Sequence, residues 1–247
     1  MTSQSPVGID IGGTGIKAAP VDLASGVLLG ERVRVDTPQP ATPDSIVAAV
    51  GSVLESIGSQ GPIGITMPSV VLHGVVKTAS NIDKSWIGAD AEGLFARATS
   101  RPVAVVNDAD AAGLAEMRYG AGRGHGGVVL MVTLGTGIGS GLYVDGVLVP
   151  NTELGHLEVH HEDAEDWAAE SVRERDDLSW RQWAHRLSRY LEVVENLLWP
   201  ELIIIGGGVS KLSDKFVPLL ECRTPEVPAQ LHNDAGIVGA SMFAPAG

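Results

Sequence analysis

The chain of 247 residues has one cysteine, Cys222. That excludes an internal disulfide and any zinc site built from several cysteines. Basic residues are also scarce: 17 Lys and Arg stand against 30 Asp and Glu, a formal net charge of −13. Non-specific nucleic-acid binding depends on clustered cations, so the composition argues against it, and any polyanionic ligand must find a local basic track. No apolar run reaches the roughly 18 to 20 residues that span a bilayer. Met1 to Pro6 lacks the basic region and long apolar stretch of a secretion leader. The expectation is a cytoplasmic protein with no nucleic-acid or membrane partner. With 44% hydrophobic and 19% charged residues, the chain has a globular profile and can bury a sizeable core, as one large domain or two half-sized lobes.

Glycine, by contrast, is plentiful at 31 residues, and two stretches use it alike. Ile9-Asp10-Ile11-Gly12-Gly13-Thr14-Gly15-Ile16-Lys17 follows an apolar run near the start, and Thr133-Leu134-Gly135-Thr136-Gly137-Ile138-Gly139-Ser140-Gly141 follows another past the middle. Glycine admits positive φ and lets backbone N–H groups approach an anion with no Cβ in the way, while a Thr or Ser hydroxyl adds a donor. Asp10 adds the negative charge that a bound Mg2+ needs. Each stretch alone also reads as a plain hairpin turn. Two of them, each set between β-like runs, point to a phosphate clamp.

Val7 to Asp10, Ile16 to Asp22 and Val27 to Val35 read as three short antiparallel strands. Thr42 and Pro43 mark the N-cap and first position of a helix reaching about Ser56, and Ile63 to Met67 follows as a buried strand. After β-like Val70 to Leu72 and Val75 to Thr78, a helix over Asp90 to Thr99 leads to a strand at Val103 to Val106. That strand stops at Asn107-Asp108, and Ala109 to Tyr119 has the composition of a strong helix, so both polar residues sit at a strand-to-helix junction. From Val128 the order repeats. Strands at Val128 to Thr133, Ile138 to Val144 and Val147 to Val149 precede an irregular stretch, a helix over Ser179 to Trp199 and a buried strand at Leu202 to Ile205. The repeat divides the chain into residues 1–120 and 121–247, with one glycine loop at an equivalent place in each.

Asp10-Ile11-Gly12-Gly13-Thr14, Asn107-Asp108, Leu134-Gly135-Thr136-Gly137 and Glu153-Leu154-Gly155-His156, in this order, resemble the motifs of the ROK family of sugar kinases over nearly the whole chain. Thr37-Pro38-Gln39-Pro40-Ala41-Thr42-Pro43, Ser80-Asn81-Ile82-Asp83-Lys84-Ser85-Trp86 and Gly206-Gly207-Gly208-Val209-Ser210-Lys211 with Asp214-Lys215-Phe216 look most like its polyphosphate glucokinase branch. The resemblance implies an α/β fold of the two-lobed, duplicated actin/hexokinase-like (ribonuclease H-like) kind with a central cleft. It implies phosphorylation of glucose on its 6-hydroxyl by polyphosphate, with ATP also accepted, by a homodimer. The alternatives are a strictly ATP-dependent kinase for another hexose, such as mannose or an N-acetylhexosamine, and a non-catalytic sugar sensor. Many members carry a cysteine-rich zinc motif after the Gly-His pair. His156 to Trp167 holds no cysteine, so no zinc is expected. The family's repressors carry a DNA-binding segment ahead of the first loop, where only Met1 to Pro6 stand here, so a repressor is not expected.

On the family pattern Asp108 is the catalytic base that takes the proton of the sugar hydroxyl; by position alone it reads as a helix cap. Asn107, Asp108, Asn81, Glu153, His156 and Glu165 form the implied sugar site, since carboxylate, amide and imidazole suit hydroxyls that both donate and accept. Glu162 and Asp166 compete with Glu165 for the last place. His160 and His161 read as metal ligands with His156 or as a surface pair. Phosphate is expected over Gly12, Gly13, Thr14 and Gly15 and over Gly135, Thr136 and Gly137, with Asp10 holding Mg2+ through water. Lys17 contacts phosphate or is a solvated strand lysine. Lys211 and Lys215, four apart on a predicted helix after Gly206-Gly207-Gly208 and so on one face, are candidate ligands of a polyphosphate chain. The turn at Gly208 leaves room for a nucleotide base. Lys84 and Arg123 are further donor candidates or ordinary solvated cations. Trp180, Trp183 and Trp199 supply a dimer contact or belong to the core.

Overall fold

The computed structural model describes residues 4–246. The leader and repressor expectations rest partly on Met1 to Ser3, which lie outside that range. The chain forms two compact units, one of Met1–Ala115 with Asp234–Gly247 and one of Glu116–Asn233.

The first unit begins with strands β1 (Val7–Ile11), β2 (Gly15–Asp22), β3 (Val27–Leu28) and β4 (Val33–Asp36). The single strand expected over Val27 to Val35 is two, because the chain turns at Gly30, whose φ is 118°. Helix α1 (Pro43–Ile57) starts where Thr42 Oγ1 accepts the Ser45 N–H and ends at Gly58, in the left-handed region at φ 67°. Strand β5 (Ile63–Met67), the short pair β6 (Val71–Leu72) and β7 (Val75–Val76), helix α2 (Ala91–Thr99) and strand β8 (Val103–Asn107) follow. Helix α3 (Asp108–Tyr119) then carries the chain across the boundary.

The second unit has strands β9 (Val128–Leu134), β10 (Ile138–Val144) and β11 (Val147–Val149). The stretch expected to be irregular holds a hairpin, β12 (Glu158–Val159) and β13 (Glu162–Asp163), and helices α4 (Ala164–Ala168) and α5 (Glu170–Arg175). Helix α6 (Trp180–Leu198) opens with a capping box between Ser179 and Gln182. Strands β14 (Leu202–Gly206) and β15 (Glu226–Pro228) complete the unit, and helix α7 (Ala235–Phe243) returns to the first.

The repeat read from the sequence is present in the two sheets, apart from β4, which has no counterpart in the second. One sheet runs β3-β2-β1-β5-β8, with β4 also on β2, and the other β11-β10-β9-β14-β15. In each, a hairpin pairs antiparallel while the two later strands add in parallel. The central strands β5 and β14 are buried at every residue, the pattern of a strand flanked by parallel neighbours. Ile9, Ile65, Val50, Trp86 and Phe95 anchor one core; Val132, Ile205, Trp183, Leu191 and Phe216 anchor the other.

Helix α7 explains why the compact units differ from a cut at 120. An added Cβ at Gly8 would collide with the carbonyl of Ile237, and one at Gly64 with that of Ala240. Two strand glycines thus let the helix backbone lie directly on the first sheet.

Candidate functional site

In the first unit the loop between β1 and β2 is a tight turn. The Gly12 N–H donates to the Gly15 carbonyl at 3.0 Å, Thr37 Oγ1 donates to the Gly12 carbonyl at 2.5 Å, and Arg34 Nη2 donates to that of Thr14 at 3.2 Å. None of the loop glycines in either unit has a positive φ, so the conformational reason given for them fails. Gly15 and Gly137 supply clearance, for Arg34 and Glu165 respectively. Asn81 lies beside this loop, its backbone oxygen 3.7 Å from where a Gly13 Cβ would stand.

Asp10 projects from β1 between register partners Lys17 on β2 and Thr66 on β5. Its carboxylate pairs with Lys17 Nζ at 3.4 Å and accepts from Thr66 Oγ1 at 3.0 Å, with the side chain 18% exposed. Gly236, in the first turn of α7, leaves room for it: a Cβ there would stand 2.8 Å from the carboxyl carbon. A carboxylate at a helix N-terminus is favoured by the unpaired N–H groups of that turn.

At the end of β8, Asn107 is the helix cap. Its Oδ1 accepts from the Ala109 and Asp110 N–H groups at 2.8 and 3.0 Å, and its Nδ2 donates to the Ser69 carbonyl at 3.2 Å. Asp108 accepts from Ala109 N–H at 2.9 Å and is half-buried. The first-turn N–H groups are therefore capped by Asn107, with Asp108 sharing that of Ala109.

In the second unit the loop between β9 and β10 is braced from α4 and α5. Ser171 donates its N–H to the Gly135 carbonyl at 3.0 Å and its hydroxyl to that of Thr136 at 2.7 Å, and Glu165 Oε2 accepts the Ile138 N–H at 3.3 Å. Glu153 precedes a single 3-10 turn, Leu154–His156. Gly155 packs so closely on the Ile138 carbonyl that a Cβ would collide with it. The turn delivers His156 into a ring of acids: Asp163 Oδ2 at 2.9 Å and Glu165 Oε1 at 3.9 Å from Nδ1, and Glu153 Oε2 at 3.9 Å from Nε2. The hydrogen bond to Asp163 raises the His156 pKa most, against desolvation, and the charges of Glu165, Asp163 and Glu153 add to it. Burial raises the Glu153 pKa, opposed by the charge of His156.

Of the three acids that competed for one place, Glu165 alone stands beside His156; Glu162 and Asp166 are exposed. His160 and His161 form the turn of the β12–β13 hairpin, at φ 59° and 72°, and His160 packs edge-on against Trp167. Among the described residues no group of three or more His, Cys, Asp and Glu side chains is arranged to hold a metal ion.

The lysine pair is a correction. Gly208–Lys215 is a 3-10 run broken at Leu212, with φ −111° and ψ 22°, and not an α-helix. The break lies between Lys211 and Lys215, so no common helical face relates them. Lys215 Nζ lies 5.6 Å above the Trp180 ring, while Lys211 is exposed. Gly207 is the glycine that its turn requires, at φ 83° and against the Leu134 carbonyl. Lys84 and Arg123 are exposed, and neither joins an ion pair among the described residues. The tryptophans separate: Trp183 is core, Trp180 stacks on Phe216, and Trp199 is 68% exposed.

The sequence model of the ROK family matches residues 6–166. The chain belongs to the ROK family. It is 52% identical to a polyphosphate glucokinase of Mycobacterium tuberculosis, over 98% of this chain and 91% of that protein. Among solved structures it superposes on the inorganic polyphosphate/ATP-glucomannokinase of Arthrobacter sp. strain KM with TM-score 0.93 and 54% identity, covering 97% of each chain. A ROK family glucokinase from Streptomyces griseus, in complex with glucose and AMPPNP, matches at TM-score 0.84 and 27% identity, over 97% of this chain and 98% of that one. These ROK sugar kinases have the actin/hexokinase-like fold, and so does this chain.

Four neighbours of the candidate residues went unread in the sequence: Thr66, Asp163, Ser171 and Gly236. Thr66 left a signal, as a polar residue in the otherwise apolar run Ile63 to Met67. The other three depend on elements that the residue pattern hides.

Proposed function

We propose that the protein phosphorylates glucose on its 6-hydroxyl with inorganic polyphosphate and accepts ATP as a second donor. The observation that carries the reading is the group Glu153, His156 and Glu165, an imidazole flanked by two carboxylates 3.9 Å away, one of which also bonds the second glycine loop. Such a set can donate to and accept from neighbouring sugar hydroxyls. The names of the relatives, polyphosphate glucokinase and polyphosphate/ATP-glucomannokinase, support the donor and the sugar.

In this reading Asn107 and Asn81 also touch sugar, and Asp108 accepts the proton of the 6-hydroxyl. As it does so, the sugar oxygen bonds to the terminal phosphorus and the bridging P–O bond breaks, leaving the donor one phosphate shorter. The backbone N–H groups of Gly12, Gly13 and Thr14, and of Gly135, Thr136 and Gly137, hold phosphate oxygens. Mg2+ fits Asp10. That ion keeps most of its waters and needs only one or two carboxylates besides phosphate oxygens, and Asp10 is a single, partly exposed carboxylate. When bound, Mg2+ neutralises charge on the transferring phosphoryl group. Lys17 holds Asp10 in place, and Gly208 and Lys211 are left as donor contacts.

The enzyme is read as a cytoplasmic homodimer; no helix among the described residues is long and apolar enough to cross a membrane. Leu197 and Trp199, 61% and 68% exposed, are the apolar surface that supports the dimer.

Incubation with glucose, Mg2+ and either polyphosphate or ATP is expected to yield glucose 6-phosphate with both donors. No product with either would refute the reading. A sugar panel with mannose and N-acetylhexosamines then tests the acceptor.

A further inference from the structure

We propose that Asp163 is a positioning residue that holds the His156 imidazole with its Nδ1–H donated to the Asp163 carboxylate, so that Nε2 is the atom offered to the sugar. The proposal rests on the sugar-site reading of His156 given above.

Three carboxylates face the ring, Asp163 from β13, Glu165 from α4 and Glu153 from the chain before the 3-10 turn. Asp163 alone is within hydrogen-bond range, at 2.9 Å; the other two stand at 3.9 Å. An imidazole's tautomer and orientation are set by the partner of the nitrogen that does not do the work. Here that partner takes Nδ1, which leaves Nε2, on the side of Glu153, as the working atom.

A second observation is independent of that distance. Asp163 occupies the N-cap position of α4, where an aspartate ordinarily accepts a backbone N–H of the first turn, yet its side chain makes no cap hydrogen bond. The residue forgoes the bond its position favours and turns to His156. The chain also spends backbone strain to bring it there. The β12–β13 hairpin turns through His160 and His161, both in the left-handed region without being glycine or asparagine, and is closed below by the Ala164 N–H donating to the Leu157 carbonyl at 2.9 Å. The hairpin returns the chain to His156 seven residues later.

The test combines kinetics with NMR of the histidine ring, using the full-length enzyme. His156→Gln identifies the His156 signals among those of the seven histidines. In the wild type the neutral ring is expected to carry its proton on Nδ1. In Asp163→Ala it is expected to move to Nε2, and the ring to titrate at lower pH. Glucose KM is expected to rise about tenfold in Asp163→Ala, with kcat changed by less than about threefold. Asp163→Asn, which keeps an acceptor oxygen and the hairpin's shape, is expected to fall between, and it serves if the alanine variant does not fold. A merely structural role moves stability without moving the tautomer. An unchanged tautomer and titration in both Asp163 variants would overturn the proposal while leaving the sugar site standing. An unchanged glucose KM in His156→Gln would overturn it through the sugar-site reading, even with the tautomer shift observed.

Discussion

The two glycine loops occupy the same place in two sheets of the same strand order, yet different parts of the chain hold them. The first is tied to its own sheet, through Thr37 and Arg34 at the end of β4, and stands next to Asp10, itself fixed by Lys17 and Thr66. The second is tied to the segment after its sheet, through Ser171 and Glu165. Glu165 bonds the loop with one oxygen and faces His156 with the other. The two units share the turn and not its bracing. In the proposed reading the first unit accordingly carries the charges of the reaction, Asp10 and Asp108, and the second ties phosphate grip to sugar grip.

Substitutions that separate charge from grip test this difference. Asp108→Asn is expected to lower kcat by about 10²- to 10⁴-fold with glucose KM nearly unchanged, as befits a group that acts in the transition state. Steady-state kinetics check it, and normal turnover removes Asp108 from the mechanism. Asp10→Asn is expected to lower kcat/KM by about 10²-fold, with part of the loss recovered at high Mg2+. Glu165→Gln is the counterpart in the second unit. Because that carboxylate serves both loop and imidazole, KM for glucose and for the donor are both expected to rise, each by about tenfold. A change in one KM alone would show that the second loop is not coupled to the sugar residues.

Next comes a matched pair of glycines. Gly137→Ala places a Cβ against Glu165 Oε2, so the carboxylate must shift, and a rise in glucose KM of about threefold is expected from a residue that does not touch the sugar. Gly13→Ala meets only Asn81, at 3.7 to 3.8 Å, an ordinary contact, and should leave glucose KM within error of the wild type. If the two variants respond alike, the loops are braced alike.

Much of this was legible in advance, and the exceptions have physical causes. Apolar runs such as Ile63 to Met67 and Leu202 to Ile205 mark buried strands because the helices that connect parallel strands cover both faces of the sheet. Thr42-Pro43 and Ser179 mark helix starts because capping is local chemistry. The β12–β13 hairpin was invisible because His160-His161 stands where Asn-Gly is the usual signal, and α4 and α5 are too short to show a helical period. With them went Asp163 and Ser171. The helix expected after Gly208 failed because eight residues support too few turns to enforce α geometry, and Leu212 leaves it. The place of α7 depends on Gly8 and Gly64, residues that in sequence look only like weak points in strands.

The smallest expected effect is a pH dependence in which His156 opposes the hydrogen-bonded acids. The carboxyls of Asp22 and Asp83 in the first unit are lowered by hydrogen bonds from Ser25 and Ser85, and that of Asp176 in the second by one from Arg175. Acids with lowered pKa contribute stability above their ordinary values, lost as pH falls through the folded ones. In the second, His156 is raised, chiefly by its bond to Asp163. A raised imidazole contributes stability that is complete below the unfolded value of about 6.5 and is lost as pH rises through the folded value. Urea midpoints of the sugar-free enzyme should therefore decline with pH in a window opening near 6.5, and the decline should be shallower in Asp163→Asn and absent in His156→Gln. An equal slope in all three proteins would mean that the imidazole is not held by its acids in the folded state, and the contrast between the two loops would then rest on Ser171 and Glu165 alone.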